Sequence, residues 1–227
     1  VDQAQRALRL ADADPALATT LATEASRQAR TRHDHAAVSV AERALGMAAL
    51  HVEAPEAAVR HLRAAAVAGN RAGSFVLAVD ARIHLTYALG IQGRSRQALR
   101  EVGDILELDL DPLRHARATA QRGVLLSQLG RHDEAIAAYQ QAIPALRRAS
   151  DLPWLWRALS NRGVSRAYRH EFGPAEVDLQ EAGRLCLELG LDLSVAFCMQ
   201  NLGWVAGLRG DVPAALDHLH RAEQSFR

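Results

Sequence analysis

The sequence predicts an all-α fold: a right-handed α-solenoid of about six helix–turn–helix repeats, each about 40 residues long. Three columns of small or apolar residues predict it. Gly46, Gly123, Gly163 and Gly203 fall in one column, which Arg6 and Thr86 complete, with steps of 40, 40, 37, 40 and 40 residues. Twelve residues further on, an alanine column runs unbroken through Ala18, Ala58, Ala98, Ala135, Ala175 and Ala215. Seven residues after that stand Ala25, Ala65, Ile105, Ala142, Ala182 and Ala222. One solenoid over residues 1–227 follows, with repeats near 1–33, 34–73, 74–111, 112–151, 152–191 and 192–227.

The columns and their punctuation place helices near 2–12, 15–30, 34–51, 54–69, 74–92 and 95–108. Six more are expected near 112–129, 132–149, 153–169, 174–189, 192–209 and 213–226. Gly93, Gly130 and Gly210 mark turns inside repeats, and Pro112 and Pro153 suit first helical positions. Asp133 and Glu134 fall in a first turn, where carboxylates complement the helix dipole. Pro144 lies inside a helix and predicts a kink or local irregularity there. The stretch GNRAGS (69–74) reads as a longer connection between repeats. A glycine inside a helix costs about 0.5–1 kcal/mol relative to alanine. Its recurrence at one column therefore implies a gain elsewhere, namely the close approach of a partner helix.

Composition narrows the function. All 27 basic residues are arginine, 26 acids balance them, and the net charge is +1. A nucleic-acid binder is usually strongly basic, so this segment is not expected to bind nucleic acid. No apolar run approaches the roughly 18 residues of a spanning helix, and no signal peptide is visible, so a cytoplasmic location is expected. The chain starts without a methionine, as if cut from something longer. Its last repeat stops without a polar capping helix, which predicts continuation past Arg227 or a homo-oligomer formed there. Cys186 and Cys198 are too few for a disulfide scaffold or a four-cysteine zinc site, and read as buried thiols. Glycine-rich phosphate loops, GxSxG and HExxH are absent, so no enzyme activity, cofactor or metal is expected. His33-Asp34-His35 reads as a polar turn, and His218 and His220 diverge on a helix.

The glycine pairs Leu45-Gly46 and Leu202-Gly203, the turn glycines and the alanine columns resemble the tetratricopeptide repeat (TPR). The likeness spans nearly the whole chain, with departures. The aromatic expected three residues after the mid-helix glycine is Ala49, Leu126, Arg166 or Ala206, and each repeat is about six residues too long. In that family the first helix of each repeat lines a concave groove. The resemblance therefore implies a groove presenting Arg43, His84, Tyr87, Arg117, Gln121, Arg157, Asn161, Tyr168, Gln200, Asn201 and Trp204. Gln121, Asn161 and Asn201 share one column, and carboxamides can pair with the backbone of an extended peptide. Arg117 and Arg157 share another, and guanidinium forks match carboxylates. Tyr168, Phe197 and Trp204 could anchor an apolar side chain. The family's clamp for chaperone C-termini needs an asparagine directly after the mid-helix glycine. Met47, Tyr87, Val124, Val164 and Trp204 hold that column, which argues against such a ligand.

The Arg/Ala-rich repeats with NRGV (161–164) and NLGW (201–204) also resemble the arrays that precede caspase-like CHAT protease domains of actinobacteria. That likeness implies the interaction or sensor arm of a larger signalling protein. Its partner would be a protein or peptide, or the chain's own downstream domain, with the catalytic His and Cys lying beyond Arg227. The alternative is the sensor region of a TPR-containing transcriptional regulator or nucleotide-dependent switch.

Overall fold

A computed structural model describes residues 2–52 and 54–225, with backbone only at Ser225. Among the described residues there are twelve helices and no strand. They divide into two compact units, Val1–Asp109 and Leu110–Arg227. The first unit holds α1 (Asp2–Leu10), α2 (Pro15–Thr31), α3 (His35–His51), α4 (Pro55–Arg71), α5 (Phe75–Ile91) and α6 (Ser95–Leu106). The second holds α7 (Pro112–Gln128), α8 (His132–Arg148), α9 (Leu152–Tyr168), α10 (Phe172–Glu188), α11 (Asp192–Arg209) and α12 (Val212–Ser225). The predicted last helix reached Phe226, which lies outside the described residues.

Each unit is three helical hairpins in two layers. Consecutive helices pack together, and each odd helix also meets the next odd helix: α1 with α3, α3 with α5, α7 with α9, and α9 with α11. No even helix meets another even one, so odd helices form one layer and even helices the other.

Local chemistry sets the helix ends. Asp14, Asp34 and Asp111 cap α2, α3 and α7 by accepting from backbone N–H groups at 2.9–3.1 Å. Asp34 of the His33-Asp34-His35 run is thus a cap. Among the described residues, eight turns reverse direction through a left-handed residue. Gly73, Gly93, Gly130, Gly190 and Gly210 take five of these places, and His33, Ser150 and His170 take the others at φ 53°, 52° and 60°.

The recurring glycine column has a specific cause. A Cβ at Gly46 would lie 2.5 Å from Leu62 Cγ, one at Gly123 2.7 Å from the Tyr139 ring, and one at Gly163 2.9 Å from Leu179 Cγ. Gly203 meets Leu219 in the same way at 3.0 Å. The glycine is a socket for a large side chain on the second helix of its own hairpin. The neighbouring backbone comes second: the carbonyls of Ala58, Ala175 and Ala215 stand 3.1–3.3 Å from the same built Cβ atoms. Where the socket is fuller the plug is smaller. Thr86 shares its hairpin with Val102, and Ala7 packs against Ala22.

Two expectations change. In the first hairpin the buried residue is Ala7, while Arg6 is exposed. The α1–α2 connection holds four residues where α3–α4 holds three, and α1 is displaced by one residue along its partner. GNRAGS is not a longer connection. Gly69 is helical, and a Cβ there would lie 2.6 Å from the Ala78 nitrogen, so this is where the backbones of α4 and α5 touch. The 37-residue step arises in α6, which has 12 residues against 17 in α2, α4, α8 and α10, partly offset by a connection of five residues, 107–111, where α4–α5 has three. The backbone of α8 stays helical through Pro144. Pro144 and Gln140, whose carbonyl loses a donor, are both exposed residues.

Candidate functional site

The odd helices carry the residues expected to bind a partner, and the structure sorts them. In the first unit, Arg43 on α3 pairs with Asp80 on α5 at 2.7 Å, both side chains almost wholly covered. His84 meets the Asp80 carbonyl at 2.8 Å, one turn back on its own helix. Both are occupied in joining and bracing the layer. Tyr87 stays exposed on α5. Beside them, Glu42 ties three helices together, accepting from Ser26 (2.8 Å) and Arg30 (2.9 Å) on α2 and meeting His61 on α4 (2.8 Å). Burial alone would raise the Glu42 carboxyl, but the hydrogen bonds from His61, Arg30 and Ser26 outweigh it and hold it at about 2.

In the second unit, Arg117 on α7 donates to Asp151 at the start of α9 at 2.7 Å. Gln121 is only 3% exposed and lines no open surface. These two are taken up by the scaffold. The remaining residues gather on α9 and α11. Arg157 donates to the Pro153 carbonyl at 2.8 Å, and its guanidinium carbon lies 5.0 Å from the Trp156 ring centre, a cation–π contact. Asn161 spends its amide nitrogen on the Arg157 carbonyl at 2.8 Å and stays half-buried. Gln200 and Asn201 make no side-chain hydrogen bond to any other described residue, and Gln200 is exposed. Tyr168 is 55% exposed at the end of α9. It stacks flat on His132, with centroids 4.4 Å apart, and meets Trp204 of α11 at 5.1 Å. Phe197 stands 56% exposed on α11. A hollow of about 270 Å³ opens between Tyr168–Arg169 and the first turn of α8. Its charges are already paired, Arg169 with Asp133 at 2.7 Å and Arg131 with Glu134 at 2.6 Å.

Three features escaped the sequence reading. His132 and Trp156 act as platforms for Tyr168 and Arg157, and neither showed in a groove column. Asp178 is a buried hub that accepts from Arg162 at 2.7 and 2.8 Å and from Arg166 at 2.8 Å. A signal was available for Asp178: an acid three residues after Ala175 shares the face that the alanine column buries.

Charge is also layered. Helices α7, α9 and α11 contain seven arginines and one acid, Asp192. Helices α8, α10 and α12 contain eight acids and four arginines. Five of the seven arginines are already paired, Arg114 with Asp111, Arg117 with Asp151, Arg162 and Arg166 with Asp178, and Arg209 with Glu176 and Asp211, so the odd face offers chiefly stacking and hydrogen-bond donation. Among the described residues no group of three metal-ligating side chains exists, and no helix is long and apolar enough to cross a membrane.

Solved structures share this architecture. BtubC from P. vanneervenii superposes with a TM-score of 0.67 at 18% identity, over 91% of this chain and 89% of that one. A putative kinesin light chain from Podosopora anserina with TPR-like repeats gives 0.57 at 12%, over 88% and 95%. A Rap protein bound to competence and sporulation factor gives 0.71 at 13%, over 98% of this chain and 61% of that one. The fold is TPR-like. At these identities the likeness speaks for the fold alone. No protein-family model and no curated protein matches the sequence.

Proposed function

We propose that this chain is a non-catalytic interaction module that holds a protein or peptide segment against the odd-helix face of residues 110–227. One observation carries the reading: Arg157, Asn161 and Tyr168 lie along α9 and Phe197, Asn201 and Trp204 along α11, the next helix of the same layer, and Tyr168 meets Trp204 across them. Cationic, carboxamide and aromatic groups there fit an extended segment with acidic and apolar side chains. A two-layer scaffold holds them, with the Asp178 hub fixing α9 to α10. The Rap protein's structure contains a bound factor, which agrees with a TPR-like fold serving as a binding surface.

Within this reading the chain is the interaction or sensor arm of a larger signalling protein. The NRGV and NLGW likeness to CHAT-associated arrays supports that placement, and a transcriptional regulator's sensor region is the alternative.

The test starts from random heptapeptides displayed on phage and selected on the full chain. The selected peptide should bind the Arg157→Ala/Asn161→Ala/Asn201→Ala variant at least about tenfold more weakly, the result of losing about 1.4 kcal/mol. Helicity and melting should stay near those of the parent. Equal binding by parent and variant would move the site off this face.

A further inference from the structure

Cys186 and Cys198 have no part in that reading, yet they meet. Cys186 lies on α10 one turn past Gly183, and Cys198 lies on α11. A Cβ built at Gly183 would stand 3.6 Å from the Cys198 Cβ. Residues three apart on a helix share a face, so Cys198 rests on the strip of α10 that carries Cys186. Both are free thiols, both are buried, and they hydrogen-bond to one another. Ser160 on α9 adds a hydrogen bond to Cys198.

The surroundings make the two sulfurs unequal. The hydrogen bond with Cys198, followed by burial, pushes the Cys186 thiol up. The hydrogen bonds from Cys186 and Ser160 favour the Cys198 thiolate and outweigh its burial, so that thiol is held below its ordinary range. One sulfur suited to lose its proton, against a second that keeps its own, is the arrangement of an attacking and a resolving thiol.

We propose that Cys186 and Cys198 are an oxidisable dithiol that closes to a disulfide clasp between α10 and α11. With hydrogen peroxide as oxidant, the Cys198 sulfur attacks one peroxide oxygen. The O–O bond breaks, a sulfenic acid forms on Cys198, and the departing hydroxide leaves as water with the proton that Cys198 gave up. The Cys186 sulfur then attacks the Cys198 sulfur. The S–O bond breaks, the S–S bond forms, and a second water leaves with the Cys186 proton. Two thiols are oxidised and one peroxide is reduced to two waters, and a dithiol reductant reverses the closure by exchange. Burial makes the reaction slow and dependent on opening of the α10–α11 pair. The clasp fastens the helix that bears Phe197, Asn201 and Trp204, so closure would also bear on the proposed binding face.

The experiment treats the full chain with hydrogen peroxide, quenches, denatures, adds N-ethylmaleimide and reads intact mass. The parent should lose the mass of two hydrogens and take up no maleimide until it is reduced with dithiothreitol. Cys186→Ser should stop at a sulfenic acid that dimedone traps on Cys198, whereas Cys198→Ser should keep an alkylatable Cys186. Two maleimides on the peroxide-treated parent, or a disulfide only between chains, would overturn the clasp. Equal dimedone capture by both variants would overturn the assigned roles. The parent result stands whether or not either variant folds. No peptide is needed for the readout, so the clasp and the binding face fail independently.

Discussion

The two units share one scaffold and use it differently. Each is three hairpins with small-residue sockets and a carboxylate hub. In the first unit the odd helices are near charge balance, with four arginines and three acids, and the even helices carry seven arginines against four acids. In the second the cationic layer is the odd one. All three tryptophans lie in the second unit, at Trp154, Trp156 and Trp204. The first unit turns one of its odd-layer arginines inward, Arg43 onto Asp80, while the second sets Arg157 against the Trp156 ring and carries an aromatic cluster at the other end of the same helix. One column, six residues before the socket position, thus serves packing at Asp80 and Arg117 and surface chemistry at Arg157 and Phe197. The lesson is that a column tells which way a residue faces, and its neighbours tell what it does there.

The hubs offer the largest contrast. Asp178→Ala should cost about 3–5 kcal/mol, because it leaves two largely covered arginines, Arg162 and Arg166, without their carboxylate. Glu42→Ala should cost less, about 1–3 kcal/mol, since the Arg30 side chain is 60% exposed and water can take over. Urea unfolding of both variants measures the difference, and equal costs would break the contrast. Glu42 also carries a pH signature. Its folded-state carboxyl sits at about 2 against an ordinary 4.5, so its contribution is complete above the ordinary value. That contribution is lost as pH falls from about 4.5 toward about 2. Glu42→Ala should flatten the acid limb of the stability curve.

Close approaches come next. Gly69→Ala in the first unit meets the backbone of Ala78, which cannot yield without moving α5. Gly163→Ala in the second meets the Leu179 side chain first, which can shift. Overpacking of this kind costs about 1–3 kcal/mol, offset in part by the roughly 1 kcal/mol that alanine gains over glycine within a helix. Gly69→Ala should therefore melt clearly lower than Gly163→Ala. Adding Leu179→Ala to Gly163→Ala should show favourable coupling, which the same change beside Gly69→Ala should lack. The smallest effects belong to the turns. His33→Gly and His170→Gly relieve left-handed residues, one in each unit, and each should raise stability by about 0.5–1 kcal/mol in thermal unfolding.

Much of the fold was legible in the sequence, because the columns through Ala18 to Ala215 fix where each hairpin crosses. Most helix ends fell within two residues of their predicted places. The turn at Gly69 was misread because a glycine needed for a backbone crossing looks like a glycine needed for a turn. The candidate site was only half legible. Tyr168, Phe197 and Trp204 could be placed on a face by spacing. Whether Arg117 was available depended on Asp151, 34 residues away on another helix, and the platform under Tyr168 is His132, 36 residues earlier. Such pairings follow from how hairpins stack, and one chain's periodicity does not contain them.

The most direct measurement follows the three tryptophan indole N–H signals and the backbone amides of the ¹⁵N-labelled full chain during titration with the selected heptapeptide. The Trp204 indole and amides around Asn161, Tyr168 and Asn201 should shift in proportion to occupancy, while the first unit stays still. Shifts confined to residues 2–109, with the Trp204 indole unmoved, would contradict the assignment of binding to the second unit.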